Sequence, residues 1–266
     1  MDRFTLIFGG TGFIGEYVER ELKKRGEKYE VIDAKTPEGR IREHLVDATH
    51  VVWLVPPAES PLARYADTLS RAPHVARFLF ASTMLLYADS GAPQDEAAPI
   101  APMTDYEEKK YAEEELLREA FAGAPEKLVI ARLSNVYGDT KNTGIIARLF
   151  RAAMGSDAVV LNGNAEKMRD YVHVEDVARL LVSLVHAESL GKAEVFNICT
   201  GRAHSIRELV AKIEALTNRS VPLTLGPPLV EKEQNVGSNE KILRLLNEKI
   251  TLGLDAGLEK TYARYL

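Results

Sequence analysis

One cysteine, Cys199, and one tryptophan, Trp53, stand in a chain of 266 residues. A single thiol excludes an intrachain disulfide framework and any cysteine-built zinc cluster, and it suits a reducing compartment. No stretch approaches the roughly 18 apolar residues of a membrane span. The opening Met1-Asp-Arg-Phe-Thr-Leu-Ile-Phe carries too short an apolar run for a secretory signal, so a cytoplasmic protein is expected. Basic excess is missing as well: 34 Lys and Arg face 39 Asp and Glu, a formal net charge of −5, which gives no electrostatic footprint for nucleic acid. There is no low-complexity tract, internal repeat or long linker. The one Pro/Gly-rich segment, 222–228, reads as a surface loop. What remains, 45% hydrophobic and 27% charged residues, is an ordinary globular composition. The length suits one large core, or a core with a small second lobe.

The chain is organised around Phe4-Thr-Leu-Ile-Phe-Gly9-Gly-Thr11-Gly12-Phe13-Ile14-Gly15. Five β-forming residues run into glycines spaced three apart, and a helical apolar pattern follows. This is the strand, tight turn and helix that open a dinucleotide-binding βαβ unit. Gly9 allows the sharp turn, Gly12 lets backbone approach a pyrophosphate, and Gly15 lets the helix pack close to the sheet. The N–H groups of residues 11–14 then meet the phosphate at a helix N-terminus, where the dipole favours negative charge. An acidic residue at the end of the second strand is the other half of this signature. Asp33 supplies it, 18 positions after Gly15. A carboxylate there accepts hydrogen bonds from adenosine ribose hydroxyls and repels a 2′-phosphate, favouring NAD over NADP. Lys35, Arg40 and Arg42 lie close enough to offset that repulsion, so NADP stays possible.

Val51 to Val55 is a continuous apolar run, as in a strand buried on both faces of a parallel sheet. Seventeen residues (34–50) separate it from Asp33, too few for two helices and another strand, so one βα unit is expected to be missing or reduced. Helical spacing follows over 61–72, 104–121, 144–154, 175–186 and 205–217, with Ser205 as N-cap and Glu208 at its capping-box position. Strands are expected at 75–81, 127–133, 159–161 and 194–198. The alternation predicts an α/β fold with a doubly wound, Rossmann-type parallel sheet.

Ligands of open α/β sheets bind at the carboxyl ends of the strands, and three constellations fall there. Ser82-Thr83 leaves one strand, with Tyr87 four residues beyond Thr83. Tyr106 and Lys110 stand one helical turn apart on one face. Arg132-Leu133-Ser-Asn135-Val-Tyr137-Gly138 leaves the next strand. A free phenol titrates near 10 and is a poor base at neutral pH. A lysine one turn away, with an oxidised nicotinamide nearby, would stabilise the phenolate. Tyr106 could then exchange a proton with a substrate hydroxyl as hydride moves, while Thr83 holds the same oxygen.

Taken together with Lys110-x-x-x-Glu114, Arg169-Asp-Tyr-Val-His-Val-Glu-Asp176-Val-Ala and Val195-Phe-Asn-Ile-Cys-Thr-Gly201, these motifs resemble extended short-chain dehydrogenase/reductases. They are most similar to the NAD-dependent epimerase/dehydratase family acting on nucleotide sugars. The likeness runs from Phe4 to about Leu246. It implies Thr83, Tyr106 and Lys110 as the catalytic trio, with Lys110 also holding the nicotinamide ribose. Gly9, Thr11, Gly12, Phe13, Ile14, Gly15, Asp33, Leu54, Val55, Ser82, Tyr106, Lys110 and Leu133 would line the cofactor. Thr83, Asn135 and Arg169 would meet the substrate, the last two at its phosphates. The resemblance further implies a homodimer through the Tyr–Lys helix. It also implies a Rossmann domain of residues 1–138 and 172–198 beside a smaller substrate lobe of 139–171 and 199–266, with 140–143 and 165–168 at the entrance. Met84-Leu85 stand where family dehydratases carry Asp-Glu, which rejects sugar 4,6-dehydration. Ahead of Val236-Gly-Ser-Asn-Glu-Lys241, where the family usually has an arginine, only Lys232 is found.

The resulting expectation is an NAD(P)-dependent oxidoreductase acting on a nucleotide-activated sugar, as a 4-epimerase working through a transient ketone. Reduction of a 4-keto sugar or another small carbonyl compound uses the same trio. A dinucleotide-sensing regulator without catalysis is the alternative of another class. Other residues read as structural: His173 in a turn, Asp176 as a helix cap, Cys199 and Trp53 in the core, and Glu107, Glu108 and Glu113 to Glu115 as a solvated helix face. No metal site is expected, since nothing around His173 has ligand spacing.

Overall fold

The computed structural model describes residues 3–156, 158–163, 165–188, 190–227 and 231–266. β1 (Phe4–Phe8), α1 (Phe13–Lys24), β2 (Lys28–Ile32), α2 (Glu38–Asp47), β3 (His50–Trp53), α3 (Leu62–Arg71), β4 (Arg77–Thr83), α4 (Asp105–Ala120) and β5 (Leu128–Leu133) alternate strictly. Beyond them come β6 (Asn135–Tyr137), α5 (Ile145–Ala153), β7 (Val159–Asn162), β8 (Met168–Arg169), β9 (Tyr171–His173), α6 (Val174–Val185) and β10 (Glu194–Ile198). The chain finishes with β11 (His204–Ser205), α7 (Ile206–Thr217), β12 (Leu223–Gly226), β13 (Gln234–Asn235), α8 (Glu240–Leu246) and α9 (Leu254–Tyr262).

Six parallel strands form the main sheet in the order β10-β5-β4-β3-β1-β2. A single strand, β2, lies beyond β1, where a full doubly wound sheet has two. The short connection after Asp33 therefore costs a strand, while its helix, α2, survives. Alternation along each strand sends side chains to opposite faces. Ile7, Val52, Leu79 and Val129 pack beneath α1 and α6. Leu6, Phe8, Val51, Trp53, Phe78, Phe80 and Ile130 pack against Ile41, Leu62, Leu69 and Leu117 of the helices opposite. α3 shows the cause plainly: Leu62, Tyr65, Ala66 and Leu69 recur at helical spacing and are its buried stripe. A further apolar cluster joins Ile146, Leu149 and Phe150 of α5 to Val159 and Leu161, to Leu209 and Ile213 of α7, and to Leu254 and Leu258 of α9.

Two local readings are corrected. The segment 222–228 is not simply a loop: Leu223 to Gly226 is β12, paired in parallel with β7 and largely exposed along its edge, while Pro228 lies outside the described residues. Asp176 is not the cap of α6. His173 caps it, accepting from the Glu175 N–H through Nδ1 at 3.3 Å. Asp176, fully buried, instead receives Thr251 N and Oγ1, Leu252 N and Arg179, and so clasps the segment before α9. Among the described residues no helix is long and apolar enough to cross a membrane, and no group of His, Cys, Asp and Glu could hold a metal ion.

At the amino edge of the sheet, the rings of His50 and His186 meet edge-on at 4.6 Å, and His186 lies 3.2 Å from Glu27. Burial, with Arg3 nearby, holds His50 down at about 4 and His186 at about 3, and burial holds His173 at about 4. These histidines stay neutral in the fold and charge in the unfolded chain, whose ordinary value is near 6.5. Between pH 6.5 and about 4 the unfolded state binds more protons, so stability is full above 6.5 and falls as pH drops, by about 1.4 kcal/mol per pH unit for each histidine. Urea unfolding at pH 7.5 and 5.0 should show a lower midpoint at pH 5.0, and a shallower fall for His50→Phe. Equal pH dependence in the variant would remove His50 from this account.

Candidate active site

The turn after β1 has the tightness its glycines imply. Gly9 has φ +79°, a left-handed conformation that side chains disfavour. At Gly15 a Cβ would stand 2.4 Å from the Gly9 carbonyl oxygen, so any larger residue would push α1 off the turn. Gly12 is the N-cap of α1 and offers no side-chain cap. Its own N–H is taken by the Gly9 carbonyl at 3.0 Å, which corrects the picture of four free donors: Thr11, Phe13 and Ile14 are the ones left to face a ligand. Asp33 follows β2 directly. Its Oδ1 accepts Lys35 N at 2.8 Å and Thr36 Oγ1 at 3.1 Å, and these bonds hold the carboxyl below its usual range. Leu54, half-buried, donates its N–H to Phe8 and with Val55 forms the wall against Gly9.

Two strand spacings, about 10 Å, separate β1 from β4, whose carboxyl end carries Ser82 and Thr83. Alternation splits the two. Ser82 Oγ donates to Glu114 at 2.6 Å, on the α4 side. Thr83 Oγ1 accepts from Leu85 N at 3.2 Å, which leaves its hydroxyl proton available to another acceptor. α4 starts at Thr104, whose Oγ1 caps Glu107 N at 3.3 Å. Along it, Lys110 is buried over the Phe80 ring, its Nζ 3.0 Å from the Ala81 carbonyl and 3.2 Å from Glu113. Tyr106, one turn earlier, is 45% exposed.

The charged groups around this pair are the main departure from the sequence reading. Glu107, Glu113 and Glu114 are not a solvated face. Glu114 is fully buried, accepting Arg132 Nε at 3.0 Å and Nη2 at 2.6 Å in a two-pronged pair that holds the guanidinium well above its ordinary value. Glu107 is buried against Lys232 at 2.9 Å. Glu113 faces Lys110. Among the protein's own groups, Tyr106 is accordingly raised: crowding around the phenol comes first, then Glu113 and Glu107. Lys110 is itself lowered by burial, against which Glu113 and Glu114 act to raise it.

Of the residues expected at the substrate, Leu133 ends β5, and Asn135 Nδ2 donates to the Asp170 carbonyl at 3.1 Å. Arg169 gives Nη1 to the Met168 and Glu233 carbonyls and Nη2 to the Lys232 carbonyl at 2.7 Å and Glu231 at 3.0 Å. Glu231 also pairs with Lys167 at 3.2 Å. Tyr87 is buried and donates to Asn197 at 2.7 Å, and Cys199 is buried with its thiol pushed up by burial. Both are structural.

A six-stranded parallel sheet with a tight glycine turn after its first strand, Thr83 at the end of β4, and Lys110 of α4 bonded to the Ala81 carbonyl of that strand describes a Rossmann-type fold. The sequence model of the NAD dependent epimerase/dehydratase family matches residues 60–199, more than half of the chain, and the chain belongs to that family. A UDP-glucose 4-epimerase of Azospirillum brasilense is 28% identical over 278 residues, covering 83% of this chain and 79% of the relative. Two solved structures share the fold. MoeE5 in complex with UDP-glucuronic acid and NAD superposes with a TM-score of 0.88 at 23% identity, over 100% of this chain and 99% of that one. A UDP-glucose 4-epimerase from Thermotoga maritima, with UDP-glucose, gives 0.83 at 24% identity, over 98% of each chain.

Glu114→Ala leaves Arg132 buried without a partner, and breaking a buried pair in this way costs about 3–5 kcal/mol. Equilibrium unfolding should show that loss, whereas Arg118→Ala, which removes a 3.8 Å contact to Glu114, a 3.4 Å contact to the exposed Glu115 and a 3.5 Å bond to the Ala193 carbonyl from a side chain 34% exposed, should cost under about 1 kcal/mol. Similar losses for both variants would contradict the assignment.

Proposed function

We propose that the protein is an NAD-dependent oxidoreductase of nucleotide-activated sugars, working as a 4-epimerase. What supports this reading is Thr83 at the end of β4, Lys110 bonded to the Ala81 carbonyl of the same strand, and Tyr106 one turn earlier on α4, in a chain of this family. The site fits NAD: the turn leaves uncapped N–H donors for a pyrophosphate, and Asp33 stands where an adenosine ribose would meet a carboxylate. NAD, when bound, supplies acceptance and return of hydride. The chain's own groups do the rest. Thr83 holds the sugar oxygen through its free hydroxyl proton, and Tyr106 exchanges a proton with that oxygen. Lys110 anchors the nicotinamide ribose. The cluster built on α5, α7 and α9, together with β8 and β13, forms the substrate side, and Arg169 engages the phosphates in exchange for Glu231.

A second reading, reduction of a 4-keto sugar, draws on one observation. Burial first, then Glu113 and Glu107, raises the Tyr106 phenol above its ordinary value, and a protonated phenol is suited to giving a proton to a carbonyl. The two readings separate cleanly in solution. An epimerase interconverts UDP-glucose and UDP-galactose with no added cofactor and releases NAD on denaturation, detectable by mass spectrometry. A reductase consumes NADH or NADPH in proportion to keto sugar. Neither behaviour, over a panel of nucleotide sugars, would overturn the proposal.

Tyr106→Phe should reduce turnover by about 10²–10⁴-fold and leave NAD binding by calorimetry within a few-fold of the parent. Unchanged turnover would remove Tyr106 from the chemistry.

A further inference from the structure

A cleft of about 490 Å³ runs along α1 from Tyr17 to Lys24, bordered by Glu175 and Arg179 at the start of α6, by Thr251 and by Arg264 after α9. None of the residues expected at the cofactor or the substrate lines it. Arg20 stands eight residues beyond Gly12, about 12 Å of helix from the glycine turn. Four cations line the cleft, Arg20, Lys24, Arg179 and Arg264, against two carboxylates, Glu21 and Glu175. The chain as a whole has a formal net charge of −5, so this is a local excess of the opposite sign.

The two carboxylates do not cancel that excess. Each is taken at close range by a cation outside the lining: Glu21 by Arg25 at 2.8 Å and Glu175 by Lys260 at 2.6 Å. Lys24 reaches Glu21 only at 3.8 Å. Arg20 reaches Glu16 only at 3.8 Å, and Glu16 is held by Lys141. The Arg20 guanidinium lies over the Tyr17 ring, 4.6 Å from its centroid, which steadies it at the cleft. Among the described residues Arg264 has no ion pair and no side-chain hydrogen bond. Asp139, on which its charge acts from further away, is filled by the Tyr17 hydroxyl at 2.8 Å and Lys141 N at 3.1 Å. Arg179 is different, locked by Asp176, Glu248 and the Lys249 carbonyl into a fixed wall.

Arg20, Lys24 and Arg264 are therefore left with donors to spare around one concave space. Forked guanidinium donors match phosphate oxygens two at a time, and the volume is that of a small-molecule site. We propose that this cleft is an anion site separate from the glycine turn, taking a small phosphorylated molecule whose phosphate or pyrophosphate group is bound by Arg20 and Arg264, with Lys24 as a third charge. No residue of the NAD site takes part, so the cleft keeps its chemistry whether or not the NAD reading holds.

Calorimetric titration of the full chain with inorganic pyrophosphate, in low salt and with NAD present to occupy the glycine turn, tests this without reference to turnover. Binding at a single site per chain is expected. Arg20→Gln and Arg264→Gln change exposed side chains and should each weaken it by about tenfold. Lys23→Gln, an exposed cation of α1 outside the cleft, should leave it unchanged. No binding at millimolar pyrophosphate overturns the proposal, as does full affinity in both arginine variants. An equal loss in Lys23→Gln would mean attraction to net charge alone, and a loss confined to Arg169→Gln would place the anion on the substrate side. Either result overturns the assignment to the cleft.

Discussion

A carboxylate with no access to water holds the site together. Glu114 lies under α4 and receives Ser82 from β4 and both prongs of Arg132 from β5. Apolar packing alone would let a helix slide or turn on a sheet at little cost, because burial is non-directional. A two-pronged charged pair is directional, and an error of an ångström leaves a charge unsatisfied. Glu114 thus sets both the depth and the rotation of α4. Lys110 and Tyr106 lie one and two turns earlier on that helix, so the same constraint fixes where their backbone stands against β4. The Lys110 bond to the Ala81 carbonyl completes the register.

The cations of this region share a pattern. Lys110 faces Glu113, Arg132 faces Glu114, Arg169 faces Glu231 and Lys232 faces Glu107. Each of these positive charges, Arg169 with its expected phosphate among them, is matched by one of the protein's own carboxylates. For Arg132 the match is permanent, since both partners are buried. Glu231 is different, with its side chain 40% exposed. In the proposed reading Arg169 passes from Glu231 to a phosphate and stays paired, while Glu231 keeps its 3.2 Å contact with Lys167.

Much of this was legible in the sequence because the signals are local. The glycine turn, the Asp33 strand end and the Ser205 cap each depend on residues a few positions apart, and the sheet follows from strands and helices in alternation. The roles of the glutamates on α4 were not legible. Charge on a helix reads as solvent, and the partners that reverse this lie 18 residues on, at Arg132, and 125 residues on, at Lys232. β12 was hidden for the same reason: its partner, β7, is over sixty residues earlier, and proline beside it reads as a break. The Asp176 reading failed by position. The cap of α6 is a histidine, a residue rarely expected there, and the aspartate one turn inside serves a distant segment.

The two ends of the site are governed by different parts of the molecule. Topology places the cofactor: successive strands run outward from β1, β2 to one side and β3 to the other, and the crevice opens at that reversal above the glycine turn. Tyr106 and Lys110 are placed by the ion pairs of α4. Glu114 anchors the helix to the sheet, and at its first turn Glu107 ties it to Lys232, a residue that immediately follows Glu231 in the chain. Tyr106 sits beside Glu107. The segment that supplies the carboxylate for Arg169 is therefore fastened to the turn that carries the Tyr106 phenol, so two ion pairs on adjacent residues join the β8–β13 edge to the start of α4.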